Sequence, residues 1–332
     1  MNATAPAPAV SGQDRVLALV DQRLETTRGP LARLVLDLTL YLDEFGTDLL
    51  DRVIDQYEEL CPAAERRLYS IDEALHWASI GEPVWTDAAR SAAQRGQTRP
   101  HLQAARQRIE DRREFAFGLW DGRELNAPGG SWNLAIRRVR VADNRCLGFI
   151  RVLVPARAGP SLLQQMVLHL CDTVPFLSGH AGWAFSYDVW RSESAFDAMY
   201  AVAKRFLGVD IEYLSSTLPK MAESLKGTGW LTMLGSRWCQ HPAVSSAVNH
   251  WISRADGTAH AVACGYGRVL VAGTGPGWGD RHRSASDVAS QAALARALSP
   301  YTLTDASAFP GRRFAEPMQT SAWLRRFVDH GW

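Results

Sequence analysis

Residues 225–235 read Leu225-Lys-Gly-Thr-Gly-Trp-Leu-Thr-Met-Leu-Gly235, and the rest of the chain is organised around them. Two closely spaced glycines describe a tight turn, Trp230 supplies burial, and the apolar and threonine residues that follow form a buried segment closed by Gly235. This hub contains no catalytic group. Its one titratable residue, Lys226, reads as a solvated or locally paired lysine whose stem lies along apolar surface.

The first confident element on the N-terminal side is a strand. Leu34, Leu36, Leu38, Leu40 and Leu42 alternate with Asp37, Thr39 and Tyr41, the period of a strand buried on one face and solvated on the other. After Gly46 the period changes. Leu49, Leu50, Val53, Ile54, Tyr57 and Leu60 recur at helical spacing, and Pro62 stops the helix. Residues 71–110 read as helix and loop, with Thr86 capping a helix that Gly96 ends. Phe115–Trp120, Trp132–Val141 and Leu147–Val154 then predict three strands of an antiparallel meander, separated by turns at Asp121-Gly122, 127–130 and Asp143-Asn144.

A second round of strand and helix follows. Ser161 is placed to cap a helix through Leu170 that Pro175 terminates, and Gly179-His-Ala-Gly182 leads into a strand over Trp183–Val189. Ser192 starts a helix through Phe196, Met199 and Phe206 that Gly208 closes. Beyond the hub, the pattern predicts a helix near 243–251, strands at Thr258–Cys264 and Arg268–Ala272, a helix from Ser284 or Ser286 to Pro300, and a short one at Trp323–Val328. There is no repeat at a period of 20 to 50 residues. The fold class is therefore α+β: largely antiparallel sheets with packed helices, in two similar strand-plus-helix halves of one compact unit. The expected organisation is a disordered leader at 1–13, one domain over 14–320 with halves 14–160 and 161–320, and a tail at 321–332.

Composition narrows the classes of function. A chain of 332 residues with 46% hydrophobic residues, 21% charged residues and 12 tryptophans has ample material for a globular core. A net charge of +1 argues against a dedicated nucleic-acid binder. The bases are almost all arginine, with lysine only at 204, 220 and 226. Cys61, Cys146, Cys171, Cys239 and Cys264 form no CxxC pair and read as free thiols of a reducing compartment. No apolar run approaches a membrane span, and the Ala/Pro-rich start lacks the features of a secretory signal, so the expected location is cytoplasmic, with no membrane partner.

Catalytic signatures are sparse. The run Gly273-Thr-Gly-Pro-Gly-Trp-Gly279-Asp280 lacks the Gly-Lys-Ser/Thr of a phosphate loop, and Pro276 removes an amide that a phosphate cradle would use. It reads as a structural loop after a strand. The nine histidines include no HExxH and no close ligand spacing, so no metal and no cofactor are expected. No GxSxG elbow is present, and Cys171 near His169 or Cys239 near His241 stand two residues apart without an orienting partner. No catalytic residue is assigned.

Charge, by contrast, is strongly segregated. Asp37 to Glu59 carries eight acids against the single base Arg52, and Asp48, Asp51, Asp55, Glu58 and Glu59 share one side of the predicted helix. Most such runs are solvated helix faces. Arg90 to Arg157 carries fourteen arginines against six acids, so the two regions are available to pair with each other.

Four pieces of the C-terminal half, taken in order, carry a family resemblance: Gly179-His-Ala-Gly-Trp183, Lys204-Arg-Phe-Leu-Gly-Val-Asp210, the Lys226–Gly235 run and Gly273–Asp280. Together they resemble the type VI secretion immunity family named for members that neutralise VRR-NUC nuclease effectors, over roughly 31–310. Thr228-Gly229 stands where the family pattern is nearer Val-Asn. The resemblance implies a cytoplasmic protein that is not an enzyme and that binds a cognate secreted toxin, often a nuclease, and blocks it by non-covalent occlusion. Its motifs are structural and transfer no binding site. The charge pattern supplies one: Asp43, Glu44, Asp48, Asp51, Asp55, Glu58 and Glu59 are candidates to fill the positive cleft with which a nuclease grips phosphates. A rival surface would use Trp132, Trp190 or Trp278, since Trp and Arg dominate interface hot spots. The alternative from another class is a small-molecule enzyme with a site near His180, Asp210 and Asp280.

Overall fold

A computed structural model describes residues 16–20, 24–43, 45–62, 68–70, 78–79, 105–107, 109–110, 114–121, 132–141, 145–255, 257–283, 285–329 and 332. The expected leader, Glu44, the Thr86-capped helix and the turns at Gly122, 127–130 and 143–144 lie outside the described residues.

The elements, in chain order, are β1 (Ala32–Leu42), α1 (Thr47–Leu60), β2 (Leu68–Ser70), β3 (Ala78–Ser79), β4 (Phe115–Trp120), β5 (Asn133–Arg140) and β6 (Cys146–Pro155). There follow α2 (Pro160–Thr173), β7 (Ser178–Tyr187), α3 (Ser192–Ala203), α4 (Leu214–Thr217), β8 (Leu231–Gly235) and α5 (Ser236–Gln240). The last are α6 (Pro242–Arg254), β9 (Ala259–Cys264), β10 (Gly267–Ala272), α7 (Ala289–Leu298) and α8 (Pro317–Leu324). Among the described residues the strands form one sheet of ten in the order β3-β2-β4-β5-β6-β1-β7-β8-β10-β9, with every neighbouring pair antiparallel. The α+β class is as the patterning predicts, and the β4-β5-β6 meander is present. The strands join into a single sheet instead of separate ones, with the β1–β7 pair near its middle.

That central position explains a departure from the period-two reading of β1. Alternation predicts one wet face, yet Asp37, Thr39 and Tyr41 are as buried as the leucines between them. On the leucine face, Val53 and Tyr57 of α1 and Met166 and Leu170 of α2 gather around Val152, which is the β6 neighbour of Leu38. On the other face the polar side chains find partners. Arg151 donates from Nε to Asp37 Oδ2 at 2.5 Å, Thr39 Oγ1 donates to Asp37 Oδ1 at 2.9 Å, and Tyr41 donates to Glu212 Oε2 at 3.2 Å. A strand in mid-sheet can bury polar residues only with such pairing.

Two further boundaries differ for local reasons. Helix α2 begins at Pro160, not after a Ser161 cap, because Gly159 at φ +88° turns the chain and proline is suited to a first helical position. The Gly179–Gly182 stretch lies inside β7, not ahead of it. A Cβ on Gly179 would stand 2.5 Å from the Thr39 carbonyl oxygen and 2.8 Å from Leu40 Cδ2, so the glycine serves a close strand approach.

The hub is as central as its composition implies. Gly235 ends β8, Trp230 is buried with its Nε1 donating to the Gly273 carbonyl at 3.1 Å, and a Cβ on Gly229 would lie 2.6 Å from the Ala181 carbonyl. Leu225 bridges to Thr302, and Thr228 exchanges hydrogen bonds with Gln291 of α7. The last residues are also core: Trp323 is fully buried, Trp332 nearly so, and Phe309 and Phe314 pack edge-on to Phe196 of α3.

Candidate functional site

The acidic residues of α1 fall on the outer side of the helix, because Leu49, Leu50, Val53, Ile54 and Tyr57 turn inward. Asp48, Asp55 and Glu59 are exposed, while Asp51 and Glu58 are half-buried. Arg106 forks onto Asp51, with Nε to Oδ1 at 3.1 Å and Nη2 to Oδ2 at 2.6 Å. Asp43, half-exposed just after β1, takes Arg145 Nε at 3.1 Å. The pairing of acid-rich and arginine-rich regions therefore occurs, and it partly neutralises the near end of the stripe. The outermost carboxylates still face solvent.

A second cluster lies beneath the hub and is largely buried. Of the two readings of Lys226, solvated or locally paired, the second holds: the residue is 5% exposed and ion-paired. Its Nζ donates to Asp210 Oδ2 at 2.5 Å, Glu212 Oε2 at 2.8 Å and the Ile211 carbonyl at 3.2 Å. Those three acceptors use all three ammonium protons. His180 Nε2, on β7, stands 3.1 Å from Asp210 Oδ2, 3.0 Å from Glu212 Oε2 and 3.4 Å from Lys226 Nζ. With the lysine's protons spent, Nε2 carries its own proton and donates to the two carboxylates. Thr217 Oγ1 donates to Glu212 Oε1 at 3.1 Å, and Arg326 reaches Asp210 Oδ1 at 3.4 Å while stacking 4.3 Å over the Trp323 ring.

Long-range pairing makes this cluster. Asp210 sits where the chain makes a parallel bridge to Ala184 of β7, through Asp210 N to the Trp183 carbonyl at 2.7 Å and Phe185 N to the Asp210 carbonyl at 3.1 Å. Extended backbone then puts Asp210 and Glu212, two residues apart, on the same side. Burial opposes ionisation of both carboxyls, but the Lys226 charge and the His180 hydrogen bond prevail; Asp210 is held far below the usual carboxylate range and Glu212 is lowered to about 2. Burial and the Lys226 charge oppose protonation of His180, and its hydrogen bonds to the two carboxylates outweigh them, so its pKa is raised. A small cleft with about 20 Å³ of water-accessible space opens onto His180, Asp210, Lys226, Thr228 and Arg326, room for about one water.

Of the residues named for an enzyme site, His180 and Asp210 converge and Asp280 does not join them. Asp280 is held by Arg205 in a bidentate pair, with both contacts at 2.9 Å. The glycine-rich loop is structural, as read: the amides of Trp278 and Gly279 are taken by the Asp287 carboxylate, and Trp278 stacks on Trp183 at 4.5 Å. Of the candidate surface tryptophans, Trp132 is buried and Trp278 half-buried. Trp190 is 78% exposed, on a turn fixed by Asp188, which accepts from the Trp190 amide at 3.0 Å and from Arg191 Nε at 2.7 Å. Sequence reasoning passed over Glu212, Tyr41 and Arg326. The Asp-Ile-Glu spacing at 210–212 was the available signal, since alternate residues of an extended segment share a side.

These features define an α+β protein that has, among the described residues, a buried cluster of paired charges, a charged helix face and an exposed tryptophan. The chain belongs to the TsiV family, described as type VI immunity for VRR-NUC, whose model matches residues 50–327. The match begins within α1, so Asp43, Glu44 and Asp48 precede it. The fold is similar to that of the Pseudomonas aeruginosa T6SS protein PA0821, with a TM-score of 0.71 and 18% identity over 96% of this chain and 92% of that one. No curated protein sequence matches the chain. No helix among the described residues is long and apolar enough to cross a membrane.

Proposed function

We propose that this protein binds a cognate type VI effector with a VRR-NUC-type nuclease domain and neutralises it by non-covalent occlusion, as a cytoplasmic protein without catalysis of its own. Membership of the immunity family over residues 50–327 carries this reading. The charge distribution supports a place for the contact. A nuclease needs a positive cleft for phosphates, and Asp48, Asp55 and Glu59 present carboxylates outward from a helix anchored by its apolar side. Absence of catalysis is supported by the buried cluster, where His180 and Lys226 spend their Nε2 and Nζ protons on protein acceptors.

The test is co-expression with a VRR-NUC effector encoded beside this gene, scoring survival, copurification and association rate. Protection with a stable complex is expected, and continued killing without a complex would overturn the immunity reading. Reversing Asp48→Lys, Asp55→Lys and Glu59→Lys together should slow association about tenfold or more at low salt and flatten its salt dependence. Unchanged affinity and salt slope would remove α1 from the interface. The exposed Trp190 supports a second location, and loss of affinity in Trp190→Ala alone would favour it.

A further inference from the structure

We infer that the Lys226 ammonium occupies the position of a divalent metal ion, and that His180, Asp210 and Glu212 form a latent metal site that this lysine fills. The inference is independent of toxin binding. One imidazole and two carboxylates offer ligand atoms that all lie within 4.8 Å of one another. This donor set suits zinc, cobalt, manganese or ferrous iron. At their focus is a cation already: Nζ lies 2.5 Å and 2.8 Å from the carboxylate oxygens and 3.4 Å from the imidazole nitrogen.

The surroundings resemble the supporting shell of a metal site. Thr217 donates to Glu212 Oε1 and Arg326 to Asp210 Oδ1, so each carboxylate is oriented from behind, while Tyr41 donates to the inner oxygen Oε2 of Glu212. The cleft beside Lys226 has room for about one water and is lined by His180 and Asp210 of the same cluster. Lys226 supplies the charge and three donated hydrogen bonds that a lone cation would replace by coordination. In the native chain the ligand oxygens are engaged and the positive charge repels a second cation, so the protein is complete without metal.

Removing the side chain should open the site. Purified Lys226→Ala, titrated with Co²⁺ alone, is expected to develop a visible d–d absorption band at one ion per chain, and Zn²⁺ should raise its melting temperature. Wild type and the double variant His180→Ala/Lys226→Ala should bind at least about tenfold more weakly and lack the band, which separates this site from surface histidines. Equal binding by wild type, or no binding by Lys226→Ala, would overturn the inference. If Lys226→Ala does not stay folded, it is refolded from denaturant with and without Zn²⁺ and followed by circular dichroism. Recovery only with Zn²⁺ supports the latent site, and no recovery in either condition overturns it.

Discussion

The acidic face of α1 and the charge cluster under the hub are built from the same residue types, yet they do opposite things. On α1, Asp48, Asp55 and Glu59 are exposed to water, where each charge costs little. Under the hub, Glu212 has left water and Asp210 is mostly withdrawn from it, and both are held by Lys226, His180, Thr217 and Arg326. Burial turns the second set into a structural joint between β7, the 210–212 segment, the hub and the C-terminal residues. A carboxylate's role here follows from its solvent, not from its identity.

The largest expected effect comes from breaking the buried side of that contrast. Lys226→Met keeps the stem and removes the charge that Asp210 and Glu212 share, leaving them to His180 and Arg326; denaturant unfolding should show a loss of about 3–5 kcal/mol. The triple reversal on α1 should change stability by no more than about 0.5 kcal/mol. Similar losses for both would erase the distinction between joint and surface.

A smaller effect should appear with pH. The folded pKa of Glu212 is depressed, from 4.5 to about 2, so its contribution is present above its unfolded value and is lost as pH falls from about 4.5 toward 2. Stability of the wild type should drop across that window by on the order of 1–3 kcal/mol more than that of Glu212→Gln. For His180, whose folded pKa is raised above 6.5, the sign is opposite: its contribution is present below that value and is lost as pH rises through the folded pKa. Parallel acid limbs for wild type and Glu212→Gln would mean that Glu212 is not held as the geometry requires.

The smallest effect belongs to the border between the two regimes. The Arg106–Asp51 pair is bidentate but about a third exposed on each side. A double-mutant cycle should give no more than about 1 kcal/mol, falling with added salt. A salt-independent coupling above that would place Asp51 with the buried group and shorten the surface available to a toxin.

Much of the architecture was legible because it is local. The β4–β6 meander declares itself by alternation between turn residues, and α1 by five inward apolar positions closed by Pro62. The acid stripe was legible for the same reason, since a helix of known phase places its own charges. The closeness of Gly179 to β1 was not, because a glycine that admits a neighbouring strand has the same letter as one that makes a turn. The wet face assigned to β1 failed on similar grounds: alternation reports polarity, and only the covering layers report whether water is there.

The candidate site divides the same way. Residue order alone establishes an α+β chain, a carboxylate-bearing helix and the spaced motifs that resemble an immunity family. It does not establish that Lys226 meets Asp210 and Glu212, or that Arg326 reaches Asp210 from 116 residues away. Periodicity acts over a few residues, through the fixed geometry of helix and strand. An ion pair needs atoms within about 4 Å, and that closeness is set by how a ten-stranded sheet, its helices and the final segment pack against one another.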